Sequence, residues 1–180
     1  NQTDPKQREY LVQFYEETGG NSWTIASNSW NSSESYCLWG GIDCDKNCSV
    51  LGLVIHQNNL IGTLPKVLTK LPSLNTVELP FNHMKGDLDI ASEFESLNYL
   101  FLDNNKFEGS LPEYFKGPVV SINLGYNKLP GTLPYRYGES PLFCIVLKSN
   151  NLEGTIPVEW NNLGGLVILD LSRNNLTGTI

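Results

Sequence analysis

Apolar residues recur along this chain on two superposed rhythms. The short rhythm is alternation. Leu53-x-Ile55, Val77-x-Leu79, Leu100-x-Leu102, Ile122-x-Leu124, Ile145-x-Leu147 and Leu169-x-Leu171 each read as a short strand with one face buried. The long rhythm separates these pairs. Three residues beyond each stands an asparagine, and Asn58, Asn82, Asn105, Asn127, Asn150 and Asn174 lie 24, 23, 22, 23 and 24 residues apart. An apolar residue follows two positions on and a glycine four on, with a proline seven on in most copies. A period near 23 residues predicts six stacked coils whose strands pair as a parallel ladder, about 4.8 Å per coil.

Each fixed letter has a physical reason. The chain must turn sharply off each strand, and a buried asparagine can bridge backbone groups of its own turn and of its neighbour's. Stacking turns these six side chains into a ladder. The glycine permits a backbone conformation or close approach that a Cβ would block. Proline sets φ where the chain leaves for the convex side and costs no needed N–H. No coil buries its leucines alone; the stack does so together. Asp89 stands where the other complete copies have proline, so coil 2 is expected to leave by a different path, with an extra turn of helix in GDLDIASEFESL.

The motif LxxLxLxxNxLxGxIP resembles the leucine-rich repeat, in the subclass first described from plant extracellular proteins, over residues 50–180. That resemblance implies an α/β solenoid: a right-handed superhelix with a parallel sheet on its concave face.

A solenoid end exposes apolar side chains and strand edges, so a cap is expected, and residues 1–49 fit one. DPKQREYLVQFYEETGG predicts an amphipathic helix with Asp4 as N-cap, Pro5 in the first position and Gln7 closing a capping box. Leu11, Phe14, Tyr15 and Thr18 share one face, and Gly19-Gly20 end it. Trp23, Trp30 and Trp39 are expected to plug the core, and Trp160 to fill a leucine slot on the convex side. CLWGGIDC resembles the N-terminal cap of secreted plant-type repeat proteins, while FYEETGGNSW is closer to the caps of algal and protist relatives. By that resemblance Cys37 and Cys44 form a disulfide; two thiolates without nearby histidines make a poor zinc site. Cys48 and Cys144 lie about four coil spacings apart, roughly 19 Å, too far to pair within one chain. Free thiols, competition by Cys48 for a cap partner and an intermolecular link remain open for them.

Composition narrows the function. A net charge of −7 and pI near 4.8 argue against nucleic acid and against an anionic membrane surface. No run approaches the roughly 18 apolar residues of a membrane span. The chain opens on Asn1 without a visible signal peptide and halts mid-coil at Ile180, so a processed chain or an excerpt is expected, continued or met by another chain at that edge. Sequons at Asn1, Asn31, Asn47 and Asn175 avoid all six ladder asparagines, and glycosylation of at least one is expected.

Chemistry is sparse. His83 occupies a variable turn slot and His56 has no acid beside it in coil 1, so no triad is expected. Asp87, Asp89, Glu93 and Glu95 lack the spacing of a dedicated calcium loop and read as a solvated convex face. No cofactor fingerprint appears, and neither enzyme activity, metal nor cofactor is expected.

The concave columns offer more. Glu78, Phe81, Tyr99, Phe101, Asp103, Asn123, Tyr126 and Val146 gather there on coils 2–5, aromatics among amides and acids. They suit a protein, peptide or glycan ligand held on the concave face of an extracellular, non-enzymatic recognition module, secreted or on a cell surface. The polygalacturonase inhibitors share this repeat. The alternative is a secreted or surface glycoprotein whose copies assemble into a sheath, matrix or filament. Ice binding is weaker, because the columns are mixed and hold no threonine ladder.

Overall fold

A computed structural model describes residues 4–25 and 29–179. The chain begins with one helix, α1 (Pro5–Glu17), and continues into β1 (Ile42–Cys44) and β2 (Val50–Val54). After that each coil repeats one plan. The inner strands are β3 (Thr76–Glu78), β5 (Tyr99–Phe101), β7 (Ser121–Asn123), β9 (Cys144–Val146) and β11 (Ile168–Asp170). The outer strands are β4 (Lys85–Gly86), β6 (Lys106–Phe107), β8 (Pro130–Thr132), β10 (Asn151–Gly154) and β12 (Asn175–Leu176).

The inner strands form one seven-stranded sheet in the order β1-β2-β3-β5-β7-β9-β11, parallel throughout except for β1, which pairs antiparallel with β2. Register follows the period: Val77, Leu100, Ile122, Ile145 and Leu169 stand directly opposite one another on successive strands. Val77, Leu100, Ile122 and Ile145 are fully buried in the core, while Leu169 on β11 is exposed at 43%.

The asparagine ladder repeats down the stack. Asn82 donates through Nδ2 to the carbonyls of Ile55 in coil 1 (3.0 Å) and of Leu79 and Pro80 in its own turn. Its Oδ1 accepts from the Asn58 and Leu60 amides at 2.9 and 3.0 Å. Asn105, Asn127, Asn150 and Asn174 repeat both halves of this pattern, donating to a carbonyl of the preceding coil and accepting from one of its amides. An unpaired buried amide costs about 1–3 kcal/mol, so satisfied rungs make the sharp turns tolerable.

The expected path change in coil 2 is present. Pro65, Pro134 and Pro157 precede a 3₁₀ helix in extended conformation (ψ 132, 123 and 138), whereas Leu88 precedes one at ψ 14. The helical turn itself is not special to coil 2: Lys66–Lys70, Tyr135–Glu139 and Val158–Asn162 carry one too.

At the N-terminus, Asp4 caps α1 by accepting from Lys6 N at 2.9 Å, and Gly19 leaves the helix with φ 73. The expected capping box does not form. Gln7 is instead buried, and its Oε1 accepts from Val50 N at 2.9 Å, tying α1 to β2. The Val50 amide is buried at the start of β2, where leaving it unpaired costs more than at a helix end in contact with water. Trp23, Trp30 and Trp39 are buried in a chain of ring contacts with Phe14, and Trp160 is buried on the convex side, as expected. Cys37 and Cys44 are disulfide-bonded with Cα atoms 5.7 Å apart, while Cys48 (buried) and Cys144 (half-buried) are free.

Candidate functional site on the concave face and its rim

Because adjacent strands are in register, Glu78, Phe101, Asn123 and Val146 form one row across β3, β5, β7 and β9. Tyr99 lies in the row beside it, and its ring meets the Phe101 ring edge-on at 6.3 Å. The polar members are already engaged. Asn123 donates through Nδ2 to Asp103 Oδ1 at 2.9 Å, and Asp103 Oδ2 accepts from Asn104 at 2.8 Å. Glu78 faces His56 Nε2 at 3.3 Å, so the acid missing from coil 1 is supplied by coil 2. The register that brings Val54 opposite Glu78 is what carries it there from the next coil.

Phe81 and Tyr126 stand elsewhere than the alternation suggests. Each lies three residues beyond the end of its inner strand, in the turn just before a ladder asparagine, at the rim of the sheet. Both have left-handed backbones (φ 55 each), as do Gln57, Asn104, Ser149 and Arg173 at the same place in their coils. For a bulky aromatic this region is unfavourable by about 1 kcal/mol or more. Both rings are also exposed, Phe81 at 57% and Tyr126 at 44%, so no burial offsets the strain.

Between them runs a shallow groove of about 660 Å³, from Thr24 past Gln57, Phe81 and Asn104 to Tyr126. His83 and Lys106, from the position after the ladder asparagine, form its outer wall. From the sequence His83 reads only as the occupant of a variable turn slot; the offset from the ladder asparagine that it shares with Lys106 is the signal that unites them. Lys148 Nζ lies 5.9 Å from the Tyr126 ring centre and 3.9 Å from Asp170.

The convex acids are occupied by lysines. Lys66 pairs with Glu93 at 3.1 Å and Lys116 with Glu95, which holds the Glu95 carboxyl below the usual range and the Lys116 ammonium above its own. Asp87 accepts from the Asp89 amide. Asn31, Asn47 and Asn175 are exposed; Asn1 lies outside the described residues.

The Leucine Rich Repeat family profile matches residues 96–117 and 165–180. A chain in the crystal structure of the Arabidopsis receptor kinase HAESA, in complex with the peptide hormone IDA and the co-receptor SERK1, superposes with a TM-score of 0.88 at 29% identity, over 96% of this chain and 30% of that one. The fold is a leucine-rich repeat solenoid. A chain of the BIR3–SERK2 complex from Arabidopsis thaliana matches across nearly its whole length (95%, and 94% of this chain) at TM-score 0.71 and 29% identity. Among curated relatives, Pollen receptor-like kinase 2 of Arabidopsis thaliana is 31% identical over 159 residues, 86% of this chain. This solenoid spans about a quarter of that relative's length, and 12% of that of Receptor-like protein 35.

Proposed function

We propose that this leucine-rich repeat chain is a non-catalytic, extracellular recognition module, secreted or at a cell surface, that holds a peptide or protein partner against the concave face and rim of coils 2–4. The observation that carries this reading is the pair Phe81 and Tyr126. Two solvent-facing aromatics kept in strained backbone are poor choices for stability and good ones for contact, since rings supply large contact area with few rotors to freeze. Around them Tyr99 and Phe101 extend the apolar surface, while the Asp103–Asn123 bond leaves that surface stiff. The likeness to receptor chains crystallised with a peptide hormone and co-receptors supports a peptide or protein partner over a glycan. The solvent-facing sequons at Asn31, Asn47 and Asn175 and the cap disulfide suit an extracellular setting.

The test is a selection of displayed random peptides against the folded chain. Selected peptides are expected to bind Phe81→Ala and Tyr126→Ala at least tenfold more weakly, and Tyr135→Ala, an exposed ring on the convex side, unchanged. Equal binding to all three variants overturns the reading. Half-buried Cys144 favours the second reading, assembly of copies: large species that disappear on reduction in a sizing experiment would support it, and a monomer under both conditions would reject it.

A further inference from the structure

The first rung of the ladder differs from the others. Asn58 is fully buried, and its Oδ1 accepts from Thr24 N and Ile25 N at 2.9 and 2.6 Å. The cap thus plays the part that a preceding coil's turn plays for the later asparagines. The other half of the rung is missing. Among the described residues Nδ2 of Asn58 has no hydrogen-bond partner, whereas Nδ2 of every later rung donates to a carbonyl of the coil before it. The reason is topological. Ahead of β2 the sheet is completed by β1, which runs antiparallel, and Gly41 and Gly40 then lead the chain away from the place where an earlier coil's carbonyl would stand.

Beside Asn58 lies a cavity of about 340 Å³, bounded by Asn58, Gly40, Gly41, the aliphatic side chains of Ile25, Val54 and Ile55, and Ser29 and His56. Three of its backbone groups are spoken for: Gly41 O accepts from Val54 N at 2.7 Å, Gly40 O from the Trp30 indole at 2.9 Å, and Gly40 N donates to Ser29 at 2.8 Å. A volume in the range of ligand clefts is about ten times what one water fills. Ile25, at its mouth, is exposed at 73%.

We infer that this cavity is a peptide-binding subsite, in which the main-chain carbonyl of an extended segment accepts from Asn58 Nδ2 and a small aliphatic side chain packs on Ile25, Val54 and Ile55. The bound peptide stands in for the coil that the cap does not supply. The ladder defines the acceptor, because a peptide carbonyl is what the same atom meets at every later rung, and the walls define the side chain. This subsite lies at the junction of cap and coil 1, apart from Phe81 and Tyr126, and does not depend on the function proposed for them.

The probe is N-acetyl-L-valinamide, titrated into isotope-labelled protein while the Asn58 side-chain amide and the Gly40 and Gly41 backbone amides are followed by NMR. All three are expected to move together and saturate. Asn58→Asp keeps an oxygen for the Thr24 and Ile25 amides but removes the donor, and is expected to weaken the probe about tenfold or more. Ile25→Ala, on an exposed side chain that the fold does not need, is expected to weaken it a few-fold. N-Methylacetamide, with the carbonyl but no aliphatic side chain, should bind more weakly than the valine derivative. Resonances that stay put, an Asn58→Asp variant that binds the probe equally, or an ordered water on Nδ2 that the probe does not displace would each overturn the assignment. Tyr126→Ala leaves the titration unchanged, so failure here and failure of the concave-face reading are told apart.

Discussion

Trp39 in the cap and Leu100 in coil 3 are both buried, but what buries them differs in kind. Leu100 is covered by Val77 and Ile122, its own counterparts one coil away. Trp39 has no counterpart. It packs on Trp30, under the Arg8 guanidinium 4.8 Å from its ring, in a cluster that occurs once. Repetition lets small side chains and one amide suffice, because each coil finishes the coil before it. Without repetition the cap relies on large rings, a disulfide and single bonds such as Gln7 to Val50. A defect in a coil therefore exposes groups on two coils, and a defect in the cap stays local.

The largest expected effect sets an inner rung against the first. Asn105→Ala strands the Met84 amide and leaves the carbonyls of Leu79 and Leu102 with one donor each, from Asn82 and Asn127, and should cost about 2–4 kcal/mol in urea unfolding. Asn58→Ala should cost about 1–2 kcal/mol, since Thr24 and Ile25 are exposed enough to bond water. Equal costs would break the comparison. Next comes the disulfide: Cys37→Ser with Cys44→Ser closes no loop in the unfolded chain, and for so short a loop the expected loss is about 2.5 kcal/mol. It should loosen amide protection in the cap and leave that of coils 3–5 unchanged.

A smaller change in the opposite direction is expected at the rim. Phe81→Asn places there the residue that coil 3 already has as Asn104, one that tolerates left-handed backbone, and should raise stability by about 0.5–1 kcal/mol while weakening selected peptides. Loss of stability would mean that the ring serves the fold. Smallest is a pH effect in coil 6. Ser172 donates to Asp170 through its hydroxyl (2.6 Å) and its amide (3.0 Å), holding the carboxyl below its usual range. The folded-state value being depressed, this contribution is present above the unfolded value, about 3.9, and lost as pH falls through the folded one. Asp170→Asn should flatten acid unfolding in that window, read from coil 6 amides.

The spacing of six asparagines disclosed the stack, its register and the ladder, because every copy obeys one set of bonds. Positions that vary between copies were harder to read. Gln57, Phe81, Asn104, Tyr126, Ser149 and Arg173 share no preference for left-handed backbone, so residue type said nothing about their common conformation. His56 and Glu78 are neighbours only across coils. Gln7 matched a local capping pattern, yet its bond goes 43 residues away. The unfilled first rung was invisible too: Asn58 has the same motif as the rest, and only the antiparallel run of β1 sets it apart.

That reversed strand has a bearing on polymers of this chain. Its pairing with β2 shifts register between Asp43 and Cys44, so its free edge presents a short, irregular set of donors and acceptors running against the grain of the sheet. A parallel strand arriving at the cap end does not continue the lattice there, so growth of the sheet by added strands is closed on that side of the stack.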